Sequence, residues 1–302
     1  MSERLRTVTA ADGRALGVAR WGDPDGTPVL SLHGTPGSRL GRHPDEDAVR
    51  RAGIDLITYD RPGYGASDRM AGRRVVDCVG DVEAVLDALG LSRVAVTGRS
   101  GGGPHALAVA ARLPDRVVVA ECVVGVAPFD AAGLDWTAGM DAENVTEFGW
   151  ARQGEKVLHR ELVDLAAADL ARMTADPEKV FSDDWQLADA DRQVLARDDV
   201  QRTLVEATRE AFRRGVEGWV DDDLAFLRPW GFDVTEIRVP VIVRYGRRDV
   251  MVPAAHGAWL ADHVPGATTF VDDEAGHLAD PEITLDRLAA LAAGVRRDRI
   301  RP

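Results

Sequence analysis

The chain has 302 residues, 45% hydrophobic and 29% charged, with 30 glycines and 15 prolines, a balance that excludes disordered, collagen-like and repeat-array architectures. Its net charge of −13 argues against a nucleic-acid partner, because phosphate backbones are recognised through basic patches. Two cysteines, Cys78 and Cys122, cannot build a disulfide framework, residues 1–10 lack the apolar stretch of a signal peptide, and no apolar run reaches the roughly 18 residues of a membrane span, so the cytoplasm is the expected compartment.

In chain order, residues 5–21 have strand-like patterning broken by the Asp12-Gly13 turn, which predicts a small antiparallel start. Alternating units follow: a strand at 28–33, a helix at 44–52, a strand at 54–59, an amphipathic helix at 75–91, a strand at 93–97, a helix at 101–113 and a strand at 117–126. Short apolar strands separated by helices predict an α/β fold, a mostly parallel central sheet covered on both faces. The alternation resumes with a strand at 240–245, a helix at 254–263, a strand at 268–271 and a last helix from Ile283.

Between these two blocks the spacing turns helical, as in Val200, Leu204, Ala207 and Ala211, with Asp198 or Asp199 as the expected N-cap. At this length a single core is near its usual upper limit. The expected organisation is a core domain of residues 1–126 and 231–302 carrying a helical cap insertion of residues 127–230. The insertion holds 23 Asp plus Glu against 12 Lys plus Arg, and five of the seven tryptophans: Trp136, Trp150, Trp185, Trp219 and Trp230. Charge on inserted helices predicts a solvated face, and the tryptophans predict the insertion's own core.

The sharpest signal is Gly98-Arg99-Ser100-Gly101-Gly102, a G-x-S-x-G between a predicted strand and a predicted helix. A serine on that tight turn exposes its hydroxyl above the sheet, and the glycines at 98 and 102 remove collisions that side chains would make. Serine needs a base and an orienting acid, which follow it in the order acid, then His. Of the seven histidines, His277 is the one on a strand-end loop after the sheet resumes, and Asp249 closes the strand before it. Asp130, after the strand that precedes the insertion, is the competing acid. A tetrahedral intermediate also needs two N–H donors; Gly101 follows the nucleophile, and Thr35 lies in the early loop His33-Gly34-Thr35-Pro36-Gly37. His33 itself is expected to orient that loop.

These motifs, with Asp60-Arg61-Pro62-Gly63-Tyr64-Gly65-Ala66-Ser67, resemble the α/β-hydrolase superfamily in its branch with an inserted helical cap. The resemblance implies a catalytic Ser100, Asp249 and His277, an oxyanion hole at Thr35 and Gly101, a nucleophile elbow with Gly98 and Gly102, no metal and no cofactor. It implies a structural turn at 60–67. Serine at the nucleophile position argues against epoxide hydrolases and haloalkane dehalogenases of this fold. Proline iminopeptidases are similar around residues 33–37, but their loop carries a second glycine where this chain has Thr35, and Gly102-Gly103-Pro104 replaces their tryptophan after the serine. The expected activity is cleavage of an ester or other activated acyl bond of a small apolar molecule through an acyl-enzyme. A proline-iminopeptidase-like aminopeptidase, or a ligand receptor that keeps the three residues with little turnover, are the alternatives. The partner is a small-molecule substrate, with no nucleic acid and no membrane, and the sequence carries no signal for oligomeric state.

Overall fold

The computed structural model describes residues 4–176 and 186–300. Trp185 therefore lies outside the described residues. Among those described, the strands are β1 (Leu5–Thr9), β2 (Ala15–Gly22), β3 (Thr27–Leu32), β4 (Ile54–Tyr59), β5 (Val94–Arg99), β6 (Val117–Val123), β7 (Val241–Gly246) and β8 (Thr268–Asp272). The helices are α1 (Glu46–Arg51), α2 (Cys78–Ala88), α3 (Gly102–Arg112), α4 (Ala142–Gln153), α5 (Glu155–Ala175), α6 (Asp189–Leu195), α7 (Asp198–Ala211), α8 (Glu217–Phe226), α9 (Ala254–His263) and α10 (Pro281–Ile300).

All eight strands join one sheet in the order β1-β2-β4-β3-β5-β6-β7-β8. The first hairpin and the β2–β4 pairing are antiparallel, and every pairing from β3 to β8 is parallel. Parallel strands bury both faces, and β4, with its run Ile-Asp-Leu-Ile-Thr-Tyr, is buried at all six positions. On one face Leu30, Val96 and Ala120 pack with Val82 and Leu86 of α2 and Leu107 of α3. On the other, Val29, Ala95 and Leu56 pack with Val49 of α1 and Leu291 and Val295 of α10. The sheet therefore has a helical layer on each side, and its loop edge is left to carry the site.

Differences from the predicted elements have local causes. The segment at 75–91 begins as a 3₁₀ turn, Val75–Asp77, and its helix stops at Ala88 because Gly90 adopts a left-handed φ of 66°. Strand β6 ends three residues before the expected 126, where Val124 turns left-handed at φ 45°. The N-cap of α7 is Arg197, so Asp198 and Asp199 sit inside its first turn, where they face the positive end of the helix.

Among the described residues, five α-helices, α4–α8, stand between β6 and β7. They are held in two ways. Leu158, Leu162, Trp219 and Val220 make a core around Tyr64. A second cluster joins Met173, Val194, Leu195 and Val205 to Met251 and Leu278, which lie on the loops after β7 and β8. The expected solvated acidic face is only part of the picture, because Asp191, Asp221, Asp222 and Asp223 are all buried. Trp136 and Trp230 pack into the main core, Trp219 into the insertion's own. No described helix is long and apolar enough to cross a membrane.

Candidate active site

Ser100 sits on the turn between β5 and α3 with φ 53°. It and Val124 are the described non-glycine residues in the left-handed region, and they lie side by side, since the Ser100 N–H donates to Val123 O at 2.9 Å. Such conformations persist only where the surroundings enforce them. Those surroundings are backbone: a Cβ on Gly98 would come within 2.1 Å of Gly102 O, and one on Gly102 within 2.2 Å of Leu32 O. Glycine at both positions is thus a condition of this turn, and the reason is close approach.

His277 lies on the loop after β8 and Asp249 on the loop after β7. Their side chains meet, with Asp249 Oδ2 2.8 Å from His277 Nδ1. The other oxygen, Oδ1, accepts from Met251 N at 2.8 Å and Val252 N at 2.9 Å, so the carboxylate is held from both sides and its orientation is fixed. Because Asp249 binds Nδ1, Nε2 is the nitrogen left to face the cavity. Asp130 is exposed and makes no such contact. Arg248 N donates to Ala275 O at 3.0 Å, which ties the two loops together.

Thr35 and Gly101 are adjacent. A Cβ on Gly101 would fall 2.2 Å from Thr35 Oγ1, and among the described residues neither backbone N–H donates within the protein. The loop bearing Thr35 is fastened by Arg61, whose guanidinium donates to His33 O, to Gly34 O at 2.9 Å and to Thr35 Oγ1 at 3.0 Å. His33 links the same two segments, accepting from Arg61 N at 3.1 Å through Nε2 and placing Nδ1 2.7 Å from Gly34 O. Burial, reinforced by Arg61, holds His33 well below the usual histidine range, so it is neutral.

Helix α8 supplies the counter-charge. Asp222 accepts from Arg61 at 2.5 Å, Thr35 Oγ1 at 2.6 Å and Tyr64 Oη at 2.9 Å, and pairs with Arg73 at 2.7 Å. Burial pushes its carboxyl up, but the two guanidiniums outweigh burial and hold it well below the ordinary range. Its neighbour Asp223 behaves oppositely. Neither of its oxygens meets an N–H or O–H donor among the described residues; it faces Glu147, which accepts from Trp219 Nε1 at 2.7 Å. Burial, then the Glu147 charge, raises Asp223 well above the ordinary carboxyl range, and burial raises Glu147 to about 7, so the two carboxyls titrate as a coupled pair.

Ser100, Thr35, Gly101 and His277 line one cavity of about 430 Å³ together with Glu147 and Asp223, within the size range of small-molecule sites. Its apolar wall includes Phe148, Leu165, Met173, Leu204 and Phe226, which come from the insertion. A more open cleft bearing Trp150 shares Met140, Glu143 and Leu165 with it. No group of three His, Cys, Asp or Glu among the described residues is placed to hold a metal ion.

Of the residues that the sequence singles out, Ser100, Thr35, Gly101 and His277 meet at one cavity and Asp249 contacts His277; the sequence reading gave no role to Arg61, Asp191, Asp222 or the Glu147–Asp223 pair. One signal was present: Asp221-Asp222-Asp223 interrupts Trp219-Val220 and Leu224-Ala225-Phe226, three carboxyls inside an apolar helix that cannot all be solvated.

Residues 27–280 match the family model for the alpha/beta hydrolase fold, and the chain belongs to that family. It is similar to a proline iminopeptidase of Xylella fastidiosa (strain Temecula1), 27% identical over 92% of this chain and 91% of that protein. It is also similar to a 2-hydroxymuconate semialdehyde hydrolase of Pseudomonas putida, 29% identical over 84% of this chain and 81% of the relative. Among solved structures, an alpha/beta hydrolase fold protein from Nakamurella multipartita superposes with a TM-score of 0.69 at 26% identity, covering 96% of this chain and 99% of that one.

Proposed function

We infer that the protein is a serine hydrolase that cleaves an ester or other activated acyl bond of a small, mostly apolar molecule. One observation carries this reading: the 2.8 Å Asp249–His277 contact opens onto the same cavity as the strained turn bearing Ser100. In this reading Ser100 Oγ attacks the acyl carbonyl while His277 Nε2 takes its proton, then returns it to the leaving group. The carbonyl π bond opens onto oxygen, and the resulting oxyanion is met by the N–H groups of Gly101 and Thr35. Asp249 keeps the imidazole in the tautomer with Nδ1–H and stabilises its cation. Water, activated by the same histidine, releases the acyl group and regenerates the serine.

The insertion acts here as a cap. Its Phe148, Leu165, Met173 and Leu204 support an apolar body in the substrate, and the cavity size supports a small one. Turnover of p-nitrophenyl esters of graded chain length tests the reading, with medium-chain esters cleaved repeatedly and far faster than proline or alanine p-nitroanilides. A single burst equal to the protein concentration on every ester, with a ligand raising the melting temperature, would favour a receptor instead.

The Glu147–Asp223 pair favours a second reading. Both carboxyls line the cavity, and an ammonium group would supply the donors that Asp223 lacks. The relative named as a proline iminopeptidase supports a substrate with a free amine. Efficient anilide cleavage that is lost in Glu147→Gln would select that reading over the ester.

A further inference from the structure

We propose that Asp191, on helix α6 of the insertion, is a positioning residue for His277, so that docking of the insertion sets the geometry of the base. The inference rests on the serine-hydrolase reading above. Asp191 lies 86 positions before His277 and is wholly buried. Among the described residues it has no guanidinium or ammonium partner; both its oxygens are used on backbone. Oδ2 accepts from His277 N at 2.9 Å and Oδ1 from Leu278 N at 2.7 Å. A charged acceptor on two successive amides is a strong, directional grip, about twice the strength of neutral bonds.

The opposite side of the same residue is held from the sheet. Arg99, the residue before Ser100, donates through Nη2 to His277 O at 2.8 Å. The backbone of the base thus lies between a cation beside the nucleophile and an anion from the insertion. Gly276 shows how closely α6 approaches, since a Cβ there would lie 2.1 Å from Asp191 Oδ2. Val194 and Leu195 of the same helix pack with Leu278 and with Met251, whose own N–H holds Asp249. Helix α6 therefore rests on both loops that carry the acid and the base. If it lifts, His277 N–H and Leu278 N–H lose their acceptor and the imidazole loses its register with Ser100. A misplacement of about 1 Å at a reacting group is enough to cost on the order of a hundredfold in rate.

The test compares Asp191→Asn with the exposed control Asp189→Asn on the same helix, reading kcat, KM and the rate of fluorophosphonate labelling on a p-nitrophenyl ester background. The amide offers one acceptor and one donor, so one of the two N–H groups faces a donor. We expect kcat and the labelling rate to fall together by about tenfold to a hundredfold while KM stays within about twofold, with Asp189→Asn at wild-type rates. Gly276→Ala, which drives a methyl against the Asp191 carboxylate and keeps both charges, should give the same kcat-selective loss. Wild-type kcat in a folded Asp191→Asn, or a rise in KM with kcat unchanged, would overturn the proposal, and so would unfolding of both variants, which would make the contact purely structural. Ser100→Ala run alongside separates the two levels: if it still turns over, the hydrolase reading fails, whereas a dead Ser100→Ala with wild-type Asp191 variants sinks only the positioning role.

Discussion

The loop edge of the sheet and the helices inserted between β6 and β7 hold their polar groups by different means. At the sheet edge the backbone does the holding: carbonyls of Leu32 and Gly102 press where glycine side chains are absent, and Val123 O takes the Ser100 N–H. In the insertion, side chains reach across long stretches of sequence, as when Asp222 meets Arg61 from 161 positions away. Asp222 and Asp223 show the difference within one turn of α8. The first is held well below the ordinary carboxyl range by two guanidiniums, and the second is raised well above it by burial and the Glu147 charge. The fixed charge of Asp222 fastens α8 to Arg61 and Thr35, whereas the Glu147–Asp223 pair lines the cavity.

The comparison breaks first at the sheet edge. Ser100→Ala should remove p-nitrophenyl ester turnover by on the order of a millionfold, as loss of a triad nucleophile does, with the thermal unfolding midpoint unchanged. Asp249→Asn should lower kcat roughly ten-thousandfold, because the amide favours the wrong imidazole tautomer, and Asp130→Asn should leave steady-state rates unchanged. A reversed order would move the acid to the segment after β6.

The next two predictions concern the insertion. Asp222→Ala leaves Arg61 and Arg73 buried without their counter-charge and should destabilise the protein by about 3–5 kcal/mol, read as a lower urea midpoint. Asp223→Asn, a near-isosteric change at a carboxyl with no hydrogen-bond donor among the described residues, should move that midpoint far less; equal losses would erase the distinction between the two aspartates. The smallest effect is a pH dependence. Glu147 is raised by burial from 4.5 to about 7, so the folded state binds more protons than the unfolded chain in that window. Its contribution is present below the ordinary glutamate range and lost as pH rises through about 7. Melting temperature should therefore fall less between about pH 5 and pH 8 in Glu147→Gln than in the wild-type protein. A steeper fall in the variant would reverse the assigned direction.

What the sequence discloses follows the same division. The mostly parallel sheet, the Ser100 turn and the loop positions of Asp249 and His277 are set by short-range rules: apolar runs, glycines at fixed offsets, a strand followed by a helix. They are legible because the constraint is on adjacent backbone. The acidic insertion reads as a solvated surface because charge in a helix usually is one. Burial of Asp191 and Asp222 depends on partners at Leu278 and Arg61, and no local pattern links those positions. The end of β6 is similar: its apolar run continues to Val126, yet Val124 turns left-handed next to Val123, whose carbonyl takes the Ser100 N–H from another strand.

The most direct test of the account is the location of a fluorophosphonate adduct. Wild-type protein treated with the probe, digested and mapped by mass spectrometry should carry one phosphonyl group on Ser100. Labelling should be absent in Ser100→Ala and slowed in Asp249→Asn, because the serine is nucleophilic only while His277 is held to take its proton. An adduct on another residue, or labelling of Ser100→Ala at the wild-type rate, would contradict the assignment of Ser100 as the nucleophile.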